Sequence, residues 1–188
     1  KASGAQGMVL GQAQDIAAET AGRPLTLDEI TDLQANKTGA LIGWSAEAGA
    51  ILAEQDPAPL GAYAKALGLA FQMVDDLFDY TMDTAALGKE VGTDLKEGKL
   101  TLPIIQALKQ ADSADRDQMV NIIQNEDFSD DDFKTLVALL QKNDGIDYTV
   151  KTAAAYIDKA KEALSIFETS KYKDSMLDIA DYAIARRK

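Results

Sequence analysis

Apolar residues recur every three to four positions along nearly the whole chain, and no stretch alternates in the way a half-buried strand must. Each segment therefore has one face that needs cover, and an all-α helical bundle is the fold class that supplies it. Only four prolines interrupt 188 residues, so few helix stops are forced. A first helix is predicted from near Ala2 to Thr20, ended by Ala21-Gly22-Arg23-Pro24. Thr26-Leu27-Asp28-Glu29 fits a capping box that opens a second helix running to about Glu54. Asp56-Pro57-Ala58-Pro59 breaks the chain again, and a third helix carries Leu60 to Thr81. Residues 82–99 are the least helical segment, with Gly88, Gly92 and Gly98 set among Lys89, Asp94, Lys96 and Lys99, and they read as a functional loop. Five shorter helices follow near 101–110, 114–125, 130–142, 146–169 and 172–187. A chain of this length buries one sizeable core, so residues 1–188 are read as a single domain.

Charge and residue absences narrow the chemistry. The net charge of −12 argues against nucleic acid and anionic membrane surfaces, which are bound by clustered Lys and Arg. With no cysteine and no histidine, disulfides, thiolate ligands and imidazole bases are all excluded. Carboxylates, amides, lysines and hydroxyls must do whatever chemistry there is. The most apolar stretch, Gly39 to Ala53, contains Glu47 and is too short to span a bilayer, and Lys1 opens no signal-peptide pattern, so a cytoplasmic location is expected.

Phe71-Gln72-Met73-Val74-Asp75-Asp76-Leu77-Phe78-Asp79-Tyr80 is the most informative stretch. At about 100° per residue, Leu60, Tyr63, Leu67, Phe71, Val74 and Phe78 form one stripe, while Gln72, Asp75 and Asp79 collect on another face with Asp76 at its edge. Asp75 and Asp79 are four apart and repel by a few tenths of a kcal/mol. A hard divalent cation would offset that, since Mg²⁺ takes oxygen ligands and shares itself between carboxylates and substrate phosphates. Taken alone, the same three acids fit equally well an acidic helix end exposed to water. Gly61, Ala64 and Gly68 lie roughly in line with Asp75 and either leave a cleft below the carboxylates or let two helices approach closely. Asp130-Asp131-Asp132 follows Ser129, where negative charge suits the start of a helix, and reads as a cap rather than a metal site.

Other polar residues are less specific singly. Lys37-Thr38 sits mid-helix, where a core-facing lysine would be costly unless paired. Gln12 and Asp15, three apart, share a face and can contribute an amide and a carboxylate to one polar cavity. Gly88-Lys89 and Gly98-Lys99 combine flexible backbone with mobile ammonium groups suited to phosphate oxygens, in an order unlike that of a nucleotide-binding loop.

In sequence, Gly11-Gln12-x-x-Asp15, Lys37-Thr38, Phe71-Gln72-x-x-Asp75-Asp76-x-x-Asp79, Gly88-Lys89-x-x-Gly92-x-Asp94 and Gly98-Lys99-x-Thr101-Leu102-Pro103 resemble the trans-prenyl diphosphate synthases. The resemblance spans the chain, and the acidic segment is similar to the family's second Asp-rich motif. It implies an all-α bundle around a deep cavity, usually homodimeric, that joins an allylic diphosphate to isopentenyl diphosphate by 1′–4 condensation. Carried over by residue, it implies that Asp75 ligates magnesium with Asp76 and Asp79 in immediate support. Gln72 would bond near the reacting centre, Lys37 and Lys89 would contact the allylic diphosphate, and Thr38 would lie by the reacting carbon. Gln12 and Asp15 would line the cavity wall, and Lys99 would join the lysine cluster. The family's first Asp-rich motif normally precedes the segment matching Gly4 to Asp15, so these 188 residues alone are expected to lack synthase activity. The competing functions are a non-catalytic subunit of a heteromeric synthase, a terpene cyclase and a structural bundle; the lysine elements favour the chain-elongating enzyme.

Overall fold

The computed structural model describes residues 1–19, 25–81, 92–125 and 127–186, and no strand occurs among them. The helices are α1 (Met8–Glu19), α2 (Leu27–Gln34), α3 (Ala40–Leu52), α4 (Ala58–Thr81), α5 (Thr93–Lys96), α6 (Leu102–Gln110), α7 (Ser113–Ile123), α8 (Asp130–Lys142), α9 (Gly145–Ala163) and α10 (Lys171–Ala185). A π-helical turn, Ala35–Gly39, joins α2 to α3, so the predicted second helix is one continuous rod with a widened turn inside it. Turns occupy the first seven residues, and Met8 N–H donates to Ala2 C=O at 2.8 Å, so α1 starts later than the periodicity suggests.

Helix α4 is the axis of the bundle. Its 24 residues reach about 36 Å at 1.5 Å per residue. Tyr63, Leu67, Leu69, Met73, Val74, Leu77 and Tyr80 are buried on one broad face, and Ala64, Gly68, Asp76 and Asp79 are buried around much of the rest, so α4 is covered nearly all round, with Ala62, Lys65 and Asp75 exposed. Its N-terminal half packs with Ile157, Ala160 and Leu164 at the end of α9 and with Ala180 and Ala183 of α10. Around its C-terminal end, Leu77 and Tyr80 join Leu95, Ile104, Met119, Leu136 and Leu140 from α5 to α8. Met73, Val74, Leu102 and Ala153 connect the two cores.

Caps set the helix starts as the side chains dictate. Thr26 and Glu29 form a reciprocal capping box, with the Thr26 N–H donating to Glu29 at 2.8 Å. Pro103 sits in the first turn of α6, where its missing N–H costs nothing. Helix α9 ends at Ala163, six residues before the predicted limit, because the fully buried Leu164 pins the chain into a turn there.

The small residues of α4 serve contact, not space. A Cβ on Gly68 would lie 3.1 Å from Gly39 Cα, and one on Gly61 would lie 2.3 Å from a Glu47 carboxylate oxygen. Of the two readings open for these residues, close helix approach holds, with α3 and the π turn against them.

Candidate active site

Three helical segments meet around the middle of α4. Gly11 packs against the π turn so closely that a Cβ there would stand 2.1 Å from the Lys37 backbone nitrogen. This contact brings Asp15, one turn further along α1, against Lys37, and the two side chains form an ion pair. The π turn carries one more residue per turn than an α-helix and aims Thr38 at α4, where its hydroxyl donates to Gln72 Oε1 at 2.9 Å. Gln72 and Gln34 both hydrogen-bond Asp76, the latter through Nε2 to Oδ2 at 3.1 Å.

These residues line a cavity of about 520 Å³. Asp15, Lys37, Gln72, Asp75, Asp76, Asp94 and Lys99 supply polar lining, and Leu25, Leu33, Leu100, Leu108, Val120 and Ile123 supply apolar lining. Burial, Asp94 and Asp75 push the Asp76 carboxyl up to about 8, against the lowering effect of the two amides. Lys99 pairs with Glu97 at 2.6 Å; although burial works against its charge, Glu97, Asp15 and Asp94 hold its ammonium above the ordinary value. At the outer edge the Arg186 guanidinium lies 3.9 Å from the centre of the Phe71 ring and 3.7 Å from Asp75 Oδ1.

Acids and ammonium groups facing one another across a partly apolar cavity suit an anionic head that brings its own cation and an apolar tail. The model of the polyprenyl synthetase family matches residues 2–140. The chain belongs to the polyprenyl synthetase family. It is 33% identical over 183 residues to a short chain isoprenyl diphosphate synthase of Methanothermobacter thermautotrophicus, covering 94% of this chain and 54% of that protein. It is 35% identical over 152 residues to an all-trans-nonaprenyl-diphosphate synthase of Rhodobacter capsulatus, covering 80% and 46%. Its fold matches the crystal structure of a Caulobacter crescentus polyprenyl synthase complexed with calcium and isoprenyl diphosphate, with a TM-score of 0.87 and 31% identity over 96% of this chain and 56% of that one. The chain thus spans about half the length of the relatives it matches.

Against this polyprenyl synthetase frame, the residues singled out in the sequence separate into three groups. Asp15, Lys37, Gln72, Asp75, Asp76 and Lys99 line the cavity, and Thr38 bonds Gln72 beside it. Lys89 lies outside the described residues. Gln12 and Asp79 are not among the cavity lining. Gln12 is exposed on α1 and is not among the cavity residues, because Gly11, Asp15 and Ala18, at i, i+4 and i+7, form the inward face. Gln14 is the amide that engages, donating to Asp32 at 2.7 Å and accepting from Asn36 at 3.1 Å.

Asp79 is fully buried and accepts the backbone N–H groups of Thr93 and Asp94, each at 3.1 Å. It therefore caps α5 and carries Asp94 to the cavity, a positioning part. Gly92 makes that junction possible: its φ of 72° is left-handed, and a Cβ there would stand 2.7 Å from the Phe133 ring. Asp75 and Asp76 also divide differently from the predicted faces, with Asp75 exposed beside Phe71 and Asp76 turned inward with Gln72 and Asp79.

Gln34, Asp94, Thr101 and Gln124 are polar cavity residues without a role in the sequence reading. The usable signal for Gln34 was a polar residue in the buried stripe Ile30, Leu33 and Gln34.

Proposed function

We propose that this chain carries the second Asp-rich half of a prenyl diphosphate synthase, which condenses an allylic diphosphate with isopentenyl diphosphate to give a longer product such as farnesyl or geranylgeranyl diphosphate. The supporting observation is the meeting of Asp75, Asp76 and Asp94 with Lys37 and Lys99 in one cavity. Residues 1–188 are read as the C-terminal part of one synthase domain.

The donor set fits a hard divalent cation, and we propose Mg²⁺. Among the described residues no three acids converge closely enough to hold a metal by themselves, which suits an ion shared between one or two carboxylates and substrate phosphates. Asp75 and Asp76 would hold it. A bound divalent cation neutralises charge on the departing diphosphate. Lys37, held by Asp15, and Lys99, together with Lys89, would bind the same diphosphate oxygens. Thr38 fixes the Gln72 amide, so that a preset dipole faces the carbon that becomes cationic as its C–O bond breaks. The isopentenyl double bond then attacks that carbon, and with no histidine in the chain the released diphosphate accepts the proton.

A homodimer is proposed as well. Val9 and Ile16 on α1, and Trp44, Ile51 and Leu52 on α3, are exposed apolar side chains, a density that calls for cover by protein. No helix among the described residues is long and apolar enough to cross a membrane.

Isothermal titration of the 188-residue chain with farnesyl diphosphate tests the reading. Binding is expected to require both Mg²⁺ and Asp75. Equal binding with a chelator present, or none at saturating Mg²⁺, would overturn it. Labelled isopentenyl diphosphate and an allylic diphosphate are expected to give no product with this chain alone.

A further inference from the structure

Gln34 closes α2, one residue before the π turn, and only 4% of its surface is exposed. A buried amide must satisfy two ends. The Nε2 end does so, donating to Asp76 Oδ2 at 3.1 Å. The Oε1 end has no hydrogen-bond partner among the described residues. Once Asp76 is ionised to hold a cation, reversing the amide would set Oε1 against the carboxylate. Asp76 therefore fixes the orientation and leaves a buried, unpaired carbonyl acceptor on a residue that lines the cavity.

The acceptor calls for a donor that the neighbouring side chains do not give. Ile30 and Leu33 are apolar, and Asp76 already accepts from the other end of the same amide. A water molecule on a hard divalent cation is such a donor, since Mg²⁺ keeps several waters and the metal polarises their hydrogens.

We propose that Gln34 is a positioning residue of the acidic site: its amide nitrogen holds Asp76 Oδ2, and its carbonyl accepts a hydrogen from water coordinated to the cation. The inference rests on the cation-and-diphosphate reading above and deepens it. It explains why an amide, with one donor end and one acceptor end, stands where α2 would otherwise bury an aliphatic side chain.

Mn²⁺ with inorganic pyrophosphate is the probe, bound to the full 188-residue chain and followed by electron paramagnetic resonance. Gln34→Leu is expected to weaken Mn²⁺ binding about tenfold. At full occupancy it is also expected to change the electron–nuclear couplings of the coordinated-water protons. The metal-free melting temperature should change little, because the substitution removes an unsatisfied buried acceptor together with one of the donors to Asp76. Wild-type affinity and couplings in Gln34→Leu, with binding lost in Asp75→Asn, would overturn the Gln34 proposal and leave the site reading intact. Weaker binding with unaltered couplings and a lower metal-free melting temperature would reduce Gln34 to a packing role and also overturn it. No Mn²⁺ binding by the wild-type chain would sink the underlying reading, and the proposal with it.

Discussion

Two acidic triplets stand in this chain, and their surroundings give them opposite characters. Asp130, Asp131 and Asp132 occupy the first turn of α8, where the helix dipole is positive. Ser129 and Asp132 form a capping box there, and Lys134 pairs with Asp131 at 2.9 Å in full contact with water. The backbone and side chain of Ser129 hold the Asp132 carboxyl below its ordinary range. Asp75, Asp76 and Asp79 lie in the last turns of α4, near its negative end, and two of the three are buried. Desolvation drives Asp76 the other way, up to about 8. A triplet that answers its own helix's electrostatics is structural, whereas one placed against them needs an outside cation or donor. Asp79 finds that donor within the protein, in the N–H groups of α5; Asp76 has the amides of Gln34 and Gln72 and Asp75 has Arg186 at its outer side, and in the proposed function a cation completes their environment.

The largest expected effect breaks the second triplet at its structural member. Asp79→Ala strands two backbone N–H groups at the start of α5 and is expected to cost about 2–4 kcal/mol in urea unfolding. It should also abolish Mg²⁺-dependent farnesyl diphosphate binding, through loss of Asp94 from the cavity. Asp76→Asn comes next and has an opposite signature. In the metal-free chain the folded state keeps a proton that the unfolded chain releases near 3.8. The stability from that proton is complete below 3.8 and lost as pH rises towards about 8, at about 1.4 kcal/mol per unit as an upper limit. Asp76→Asn should flatten this decline when urea midpoints are compared at pH 5 and pH 8 with a chelator present, while weakening Mg²⁺-dependent binding at least tenfold. A decline as steep as in the wild type would show that Asp76 titrates normally and would erase the contrast between the triplets.

Helices were legible wherever periodicity and caps agreed. Residues 130–142 match α8 at both ends because Ser129 and the acids state its start locally. The π turn was not legible, since Ala35-Asn36-Lys37-Thr38-Gly39 is compatible with ordinary helix and the widening occurs where α1 and α4 pass within contact of its backbone at Gly11 and Gly68. Lys37, Asp15, Gln72 and Asp75 were legible as cavity residues through the order and spacing of the motifs. Which of the adjacent acids turns inward was not, because periodicity separates faces only when a helix has a wet side, and α4 is buried nearly all round. The capping part of Asp79 was not legible for a related reason: its partners, Thr93 and Asp94, are local to nothing in its own helix.

The smallest effects sharpen the comparison from the exposed side. Ser129→Ala removes one half of the α8 capping box and is expected to cost about 1 kcal/mol, with ligand binding unchanged. Its pH signature should appear on the acid limb. Asp132 is held low in the folded state, so its stabilisation is present above the ordinary carboxylate range and lost as pH falls through the lowered value. Asp131→Asn should move the urea midpoint by less than about 0.5 kcal/mol in free energy, because its pair with Lys134 is solvated on both sides and adjacent acids already serve the dipole. A loss of 2 kcal/mol or more there, or any change in Mg²⁺-dependent binding, would mean that the exposed triplet does more than start a helix, and the distinction drawn from burial and helix polarity would fail at its simplest point.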